Sequence, residues 1–578
     1  MAVYTRASIR GLPKGLAKRD LILAGVSLLV VFAILLMITQ LAVLFYSSLR
    51  HVMLFDPGPL NLDNFYEVIA DSKFVSVAAN TFTLGVGTVL IMLLFAVPFS
   101  WLYTRTDLPR KDLLILFLTV KAAVPGFLVA MGYIFLMNPR SGIVNRLLMD
   151  TFGLSEPVFN VYSLSWIIVL QGFALVTSGF FFLVPAFQSL DAALEEGAYT
   201  SGVSRMTTFF HIALPLVAPA IVSTAVFYFV VAMAIFDYAG MLGMPAGIHV
   251  FATWIYRMTQ PAFDKPQYGS AAALGALMTL AAGLAVLFYF VSLRRAERFA
   301  VLTGKRSHQN STCLGRKGKW MAWTFIGIYL VVDAVVPILM LIWTSLLPYL
   351  QPPSLEALST ISLQAYTAAV RELSAVLLNT AILVLVVPTI AVTAGACLSW
   401  VAIRSKLPGR QLIDVIVMGS LAVPTIVGAL AFLYIGLSVY RFIPIYTTIW
   451  LMVIAMSTRY LTYTTRVING TMVQIHRELE EACVISSIPL GRMFLSVIIP
   501  MVGPAIAFSW FRVSMFSLGE LTMPLMLSRP GLNVISTSVW AFQNSGDYNL
   551  SAAMGVIQLL IIGGAILFFH SRMEAGRY

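Results

Sequence analysis

The chain has 578 residues, 59% of them hydrophobic and 11% charged, with a mean hydropathy of +0.89 and a formal net charge of +12. No soluble domain needs so much apolar sequence for its core, so soluble enzymes and soluble binding modules are excluded and a multispanning membrane protein remains. The basic excess then reads as a topology signal, and it requires no nucleic-acid partner.

A helix crosses a hydrocarbon core of roughly 30 Å with about 20 apolar residues, and runs of that kind predict about twelve spans. In chain order they begin near Leu21, Val75, Leu113, Val161, Leu214, Gly269, Met321, Ser374, Ile413, Thr447, Met501 and Leu550. Short alternating strand patterns are missing, so the spans are helices and not a barrel. The first run follows Arg6, Arg10, Lys14, Lys18 and Arg19, as a signal peptide would. It is too long for a signal core and lacks a small-residue cleavage site, so it reads as a retained first span. Lysines and arginines concentrate in alternate segments, above all the N-terminus and residues 294–319. That bias predicts a membrane protein with both termini on the cytoplasmic side.

Compared with itself, the sequence is written twice. Asn80-Thr81, Ser100-Trp101, Arg105, Leu108-Pro109 and Val124-Pro125 recur 299 residues later as Asn379-Thr380, Ser399-Trp400, Arg404, Leu407-Pro408 and Val423-Pro424. LEEGAYTSGVSRMTTFFHIALP (194–215) recurs as LEEACVISSIPLGRMFLSVIIP (479–500) at an offset of 285, which leaves 14 extra residues in the first copy, best placed around 138–157. The expected organisation is a six-helix domain at 1–293, a basic cytoplasmic linker at 294–319 and a second six-helix domain at 320–578. Six is even, so the repeats are parallel, and parallel repeats put a solute pathway at their interface.

The two polar stretches lie between the fourth and fifth spans of their halves. Leu194, Ala198 and Ser201, like Leu479, Cys483 and Ser486, are spaced to share one helical face. Asp191, Glu195 and Glu196 suit the positive end of a short helix, Gly202 and Ser487 can end it, and Pro215 and Pro500 sit where the next helix should begin. These stretches resemble the EAA motif of binding-protein-dependent ABC importer permeases: Glu-Ala-Ala, three residues, Gly, nine residues, Ile-x-Leu-Pro. Glu196-Gly197-Ala198, Gly202, Ile212, Leu214 and Pro215 depart from it once. Glu481-Ala482-Cys483, Ser487, Val497, Ile499 and Pro500 depart more but keep the spacing.

The resemblance covers nearly the whole chain and is closest to fused permeases for ferric iron, thiamine or 2-aminoethylphosphonate. It implies an all-α type I ABC importer permease fold. It also implies coupling to the ATPase through Glu195, Glu196, Gly197, Ala198, Gly202, Leu214 and Pro215 in one half, and Glu480, Glu481, Ala482, Cys483, Ser487 and Pro500 in the other. The implied partners are two cytoplasmic ATP-binding subunits and one periplasmic or lipid-anchored solute-binding protein. The sequence has no G-x-x-x-x-G-K-[ST] phosphate loop, so ATP hydrolysis would belong to a separate chain.

Charges inside spans are costly and mark functional candidates. Asp237 and Glu520 fall at roughly matching places in the two fifth spans, with Arg459 and Arg512 as potential partners on a translocation path. Lys121 is expected to snorkel to the inside face, and Asp333 has no evident role. The six histidines lack ligand spacing, and no residue set calls for a metal or another cofactor. Ferric iron is the first expectation for cargo, with 2-aminoethylphosphonate, another organophosphate or thiamine as alternatives. The rival class is a secondary transporter driven by an ion gradient, which has no need of paired EAA spacing.

Overall fold

The computed structural model describes residues 14–51, 56, 58–260, 265–297, 312–405, 409–476 and 478–575. Most of the expected linker, 298–311, and residues 406–408 therefore lie outside the described residues. Among the described residues every regular element is helical.

Eight helices are long and apolar enough to span a bilayer: Ala24–Ser48, Phe74–Arg105, Leu164–Gln188, Arg205–Ala234, Tyr268–Phe288, Gly315–Ser345, Gln364–Arg404 and Tyr548–Phe569. Three bent helix pairs pass the same test when taken together. Lys111–Lys121 meets Gly126–Met137 at 87°, Arg410–Ser420 meets Thr425–Val439 at 103°, and Gly491–Met501 meets Gly503–Gly519 at 71°. The remaining expected span, tenth in chain order, is Ile449–Met472, 24 residues long but too polar to qualify on composition. Its Thr458, Thr462, Thr464 and Thr465 are buried, and Thr462 and Thr464 donate to Val417 O (3.2 Å) and Ala391 O (2.9 Å) on neighbouring helices. This helix faces protein on several sides, so its sequence never had to match lipid.

Two of the bends follow from proline. A proline lacks an N–H and pushes the residue before it out of the α region. Pro125 and Pro424 stand at these bends with ψ 135° and 146°, as N-caps of the second helix of each pair.

The duplication is visible bond by bond. Ser100 donates to Phe180 O (3.2 Å) and Ser399 to Thr465 O (3.1 Å). The threonines of the repeated Asn-Thr pairs accept from the first backbone N–H of a short crossing helix, Phe251 to Thr81 (2.9 Å) and Ile535 to Thr380 (3.1 Å). The second and fourth spans of each half meet at a glycine. A Cβ on Gly179 would stand 3.1 Å from Ala96, and one on Gly395 would stand 2.4 Å from the Thr464 hydroxyl, so close backbone approach sets both contacts. The first half's excess forms the helix Ile143–Phe152, pinned by Asn145, which donates to Phe159 O (2.8 Å) and accepts from Phe159 N (2.9 Å).

Each half lends its first helix to the other. Lys14–Ser48 packs against Thr425–Val439 and Gln364–Arg404, and Val336–Ser345 packs against Gly126–Met137. There a Cβ on Gly132 would lie 2.5 Å from the Pro337 carbonyl, and the Tyr133 hydroxyl donates to Val332 O (2.5 Å).

Lys121 and Asp333 meet at this seam, contrary to the expected snorkelling. Nζ lies 2.5 Å from Oδ2, with side-chain exposures of 6% and 0%, and Nζ also donates to Phe173 O (3.1 Å). Pro337 lacks the N–H that α-helical register would send to Asp333 O, and the turn before it, Val331–Val335, is π-helical. That wide turn holds Asp333 in the interface. A carboxylate at a protein–protein contact inside the bundle gives the lysine a better partner than distant headgroups.

Candidate functional site

The two polar stretches fold as short helices, Ala192–Thr200 and Glu478–Ile485. Asp191 caps the first by accepting from Ala193 N (3.0 Å). Each is fastened to its own half by an ion pair with the arginine that ends the second span. Arg105 Nη2 lies 2.8 Å from Glu195 Oε2, and Arg404 Nε lies 3.2 Å from Glu480 Oε1. Arg105 also donates to Leu190 O (3.3 Å), and Arg404 to Met472 O and Ile475 O (2.6 Å each). A guanidinium therefore bridges the end of the fourth span and the short helix in both copies.

These bonds set which face points out. The residues expected to share one helical face, Leu194, Ala198 and Ser201, differ in burial. Ala198 and Cys483 are buried, but Leu194 is 50% and Leu479 41% exposed, and Ser201 and Ser486 are exposed. The pull of Arg105 on Glu195 rotates the helix so that Glu195 and Ala198 face inward. Glu196, Gly197, Glu481 and Ala482 are left exposed, as is Ile485 at 84%.

Both helices end in the same backbone device. Val203 N bonds Ala198 O (3.0 Å) and Ile488 N bonds Cys483 O (2.9 Å), the six-residue closure that puts the preceding residue in the left-handed region. Gly202 sits there at φ 77° and Ser487 at φ 57°. A Cβ at Gly202 would meet nothing within 4 Å, so the backbone alone decides. Ser487→Gly should stabilise the protein by about 1 kcal/mol, read as a higher melting temperature of the purified protein, and Gly202→Ser should lower it by a similar amount.

The following helices start earlier than the prolines suggested. They begin at Arg205 and Leu490 and pass through π turns, Phe209–Ala213 and Phe494–Ile498, just before Leu214-Pro215 and Ile499-Pro500. Leu214 N and Ile499 N reach back five residues to Phe209 O and Phe494 O, a shift that accommodates the missing proline N–H.

A second candidate site lies between the halves. A cavity of about 190 Å³ is lined by Asp237 and Ile235 from one half and by Pro424, Thr425, Arg459, Glu520 and Thr522 from the other. Glu520 accepts from Thr522 N (3.1 Å), Met523 N (3.3 Å) and the Tyr460 hydroxyl (3.3 Å). Arg459 donates to Val423 O (3.3 Å), the carbonyl at the proline break. Asp237 Oδ2 lies beside Gly126, where a Cβ would stand 3.2 Å from it. Both proline breaks thus meet the ends of the fifth spans.

The two carboxylates are not equivalent, however. The fifth spans end at Ile235 (ψ 126°) and Glu520 (ψ 125°), which correspond at the offset of 285, so Asp237 corresponds to Thr522. Arg512 does not line the cavity; its guanidinium lies over the Phe516 ring, 4.6 Å from the centroid.

Arg105 and Arg404 recur in the sequence as Glu195 and Glu480 do, but nothing in the sequence pairs them. The signal is the recurrence alone: a charge preserved in both copies, four residues after Ser-Trp, alongside a glutamate also preserved in both copies.

The family model described as "Binding-protein-dependent transport system inner membrane component" matches residues 389–573. The ferric transport system permease protein FbpB of Actinobacillus pleuropneumoniae is 22% identical over 524 residues, covering 89% of this chain and 74% of the relative. The molybdenum transport system permease protein ModB of Escherichia coli K12 is 32% identical over 148 residues, covering 24% and 59%. The crystal structure of a bacterial alginate ABC transporter in complex with an alginate pentasaccharide-bound periplasmic protein has a chain that aligns with a TM-score of 0.39 at 18% identity. That alignment covers 50% of this chain and 98% of the other.

Proposed function

We propose, from the premise that this chain belongs to the inner-membrane permease components of binding-protein-dependent ABC importers, that Ala192–Thr200 and Glu478–Ile485 are the two docking points of its ATPase. The observation that carries this reading is the recurrence of one Arg–Glu ion pair in both copies, fully buried at Arg105–Glu195 and partly buried at Arg404–Glu480. Each bond makes a short, outward-facing helix a rigid extension of its own half. A push on such a helix moves the half and is not absorbed by a loop.

In this reading both termini, the linker and the docking helices are cytoplasmic. Two ATP-binding subunits grip them, and a solute-binding protein delivers cargo on the opposite face. ATP-driven closure of the ATPase favours one arrangement of the halves, and only that difference in affinity moves the equilibrium. The exchanged first helices keep the halves together while they rock. The passage opens at their interface, where the broken spans and the cavity lie.

The cargo that fits best is ferric iron. The ferric permease similar to this chain extends over most of its length. The interface cavity is lined by Asp237, Glu520, Thr425 and Thr522 together with the guanidinium of Arg459, a mixed polar wall whose hard oxygen donors can line a passage for a hard cation without holding a resident metal. Neutralising the carboxylates tests this in proteoliposomes that contain the permease, its ATPase and the binding protein. Asp237→Asn with Glu520→Gln should cut iron uptake at least about tenfold, about 1.4 kcal/mol in the barrier, with the protein still folded. Undiminished iron uptake, or uptake of 2-aminoethylphosphonate in place of iron, overturns the cargo assignment. Transport by the permease alone on a proton or sodium gradient overturns the importer reading itself.

A further inference from the structure

The chain leaves the linker at Thr312, and from there it is docked. Thr312 N donates to Arg105 O (2.8 Å) and Asp107 N donates to Thr312 O (3.1 Å), a parallel bridge between Thr106 and Thr312. Leu314 N and Lys319 Nζ hold the two oxygens of Asp107, at 2.7 Å each. Thr106 and Thr312 are buried. The Thr312 hydroxyl, in turn, is hydrogen-bonded to the Tyr199 hydroxyl (3.0 Å), and Tyr199 belongs to the helix Ala192–Thr200. Arg105 is therefore held on both sides, its backbone by Thr312 and its guanidinium by Glu195.

We infer that Thr312–Lys319 is a positioning strap for the first docking helix. It ties the start of the second half's first span to the lever by which the first half is driven. The second docking helix has no counterpart of the Tyr199 hydroxyl, because at the offset of 285 the chain carries Val484. The strap makes the two docking points unequal. The first is braced by an ion pair and by the returning linker; the second, whose bend also lacks the glycine, shows among the described residues the ion pair Arg404–Glu480. Asp107 assists from outside the spans: although burial pushes its carboxyl up, the Lys319 ammonium and Leu314 N–H win and hold it below the ordinary range. The strap stays charged, and closed, through the physiological pH range.

The functional meaning of the strap rests on the importer reading, but its existence does not, so the test uses hydrogen exchange of the full-length permease in lipid nanodiscs without ATPase. Tyr199→Phe and Thr312→Val each remove one hydroxyl. Either should speed amide exchange in Ala192–Thr200 by about fivefold, the factor that accompanies loss of one neutral hydrogen bond, with Glu478–Ile485 unchanged. No change in Ala192–Thr200, or equal acceleration in both helices, overturns the strap. A strap that fails this test leaves the importer reading intact, and failed uptake assays would leave the strap intact.

Discussion

Glu196→Lys and Glu481→Lys are each expected to bring ATP-driven uptake down to background while the permease still accumulates and inserts. Both glutamates are exposed on the proposed docking helices, whereas Glu195 and Glu480 one position earlier are turned to Arg105 and Arg404. Reversing an outward charge at the centre of the proposed interface costs on the order of 2 kcal/mol, roughly 30-fold in affinity. Glu195→Gln and Glu480→Gln behave differently. They leave a buried guanidinium underpaired and should lower the melting temperature as well as uptake. Co-purification of the ATPase with each variant, beside uptake and thermal unfolding, separates the two classes. If Glu196→Lys and Glu481→Lys bind the ATPase and transport normally, the docking helices are misassigned. The first site should tolerate Glu195→Gln better than the second tolerates Glu480→Gln, because Thr312 still holds the Arg105 backbone and Tyr199.

Much of this was legible in the residues. The spans, the duplication and the pair of polar helices follow from hydropathy and from self-comparison, because lipid and repeated topology impose patterns that local sequence must obey. What stayed hidden depends on three-dimensional partners. Ile449–Met472 reads poorly as a span because protein surrounds it. The inward face of Ala192–Thr200 could not be taken from helical spacing alone, because one arginine 90 residues upstream outweighs the packing of Leu194. Asp237 and Glu520 looked equivalent in the sequence, yet they differ by two positions once the ends of the fifth spans are superposed. The linker's docked end escaped notice because its basic composition resembles that of a solvated tether.

The same limit hid Lys121 and Asp333, and their pairing yields the second large effect. The ion pair lies between Lys111–Lys121 of one half and the π turn Val331–Val335 of the other, with both side chains almost wholly excluded from solvent. Desolvating two charges costs nearly what their attraction returns, so the pair adds little net stability, but breaking it strands the survivor. Lys121→Met or Asp333→Leu alone should therefore destabilise the permease by roughly 3–5 kcal/mol, seen as poor accumulation and a sharply lower melting temperature in detergent. The double variant should recover most of that loss, since two apolar side chains of similar volume pack where the charges met. Thermal unfolding of the four proteins forms the cycle that measures the coupling. Additive losses in the double variant would falsify the pairing. Recovered stability with impaired uptake would go further, because it would mean that the halves need this polar contact while they move and not merely while they stand assembled.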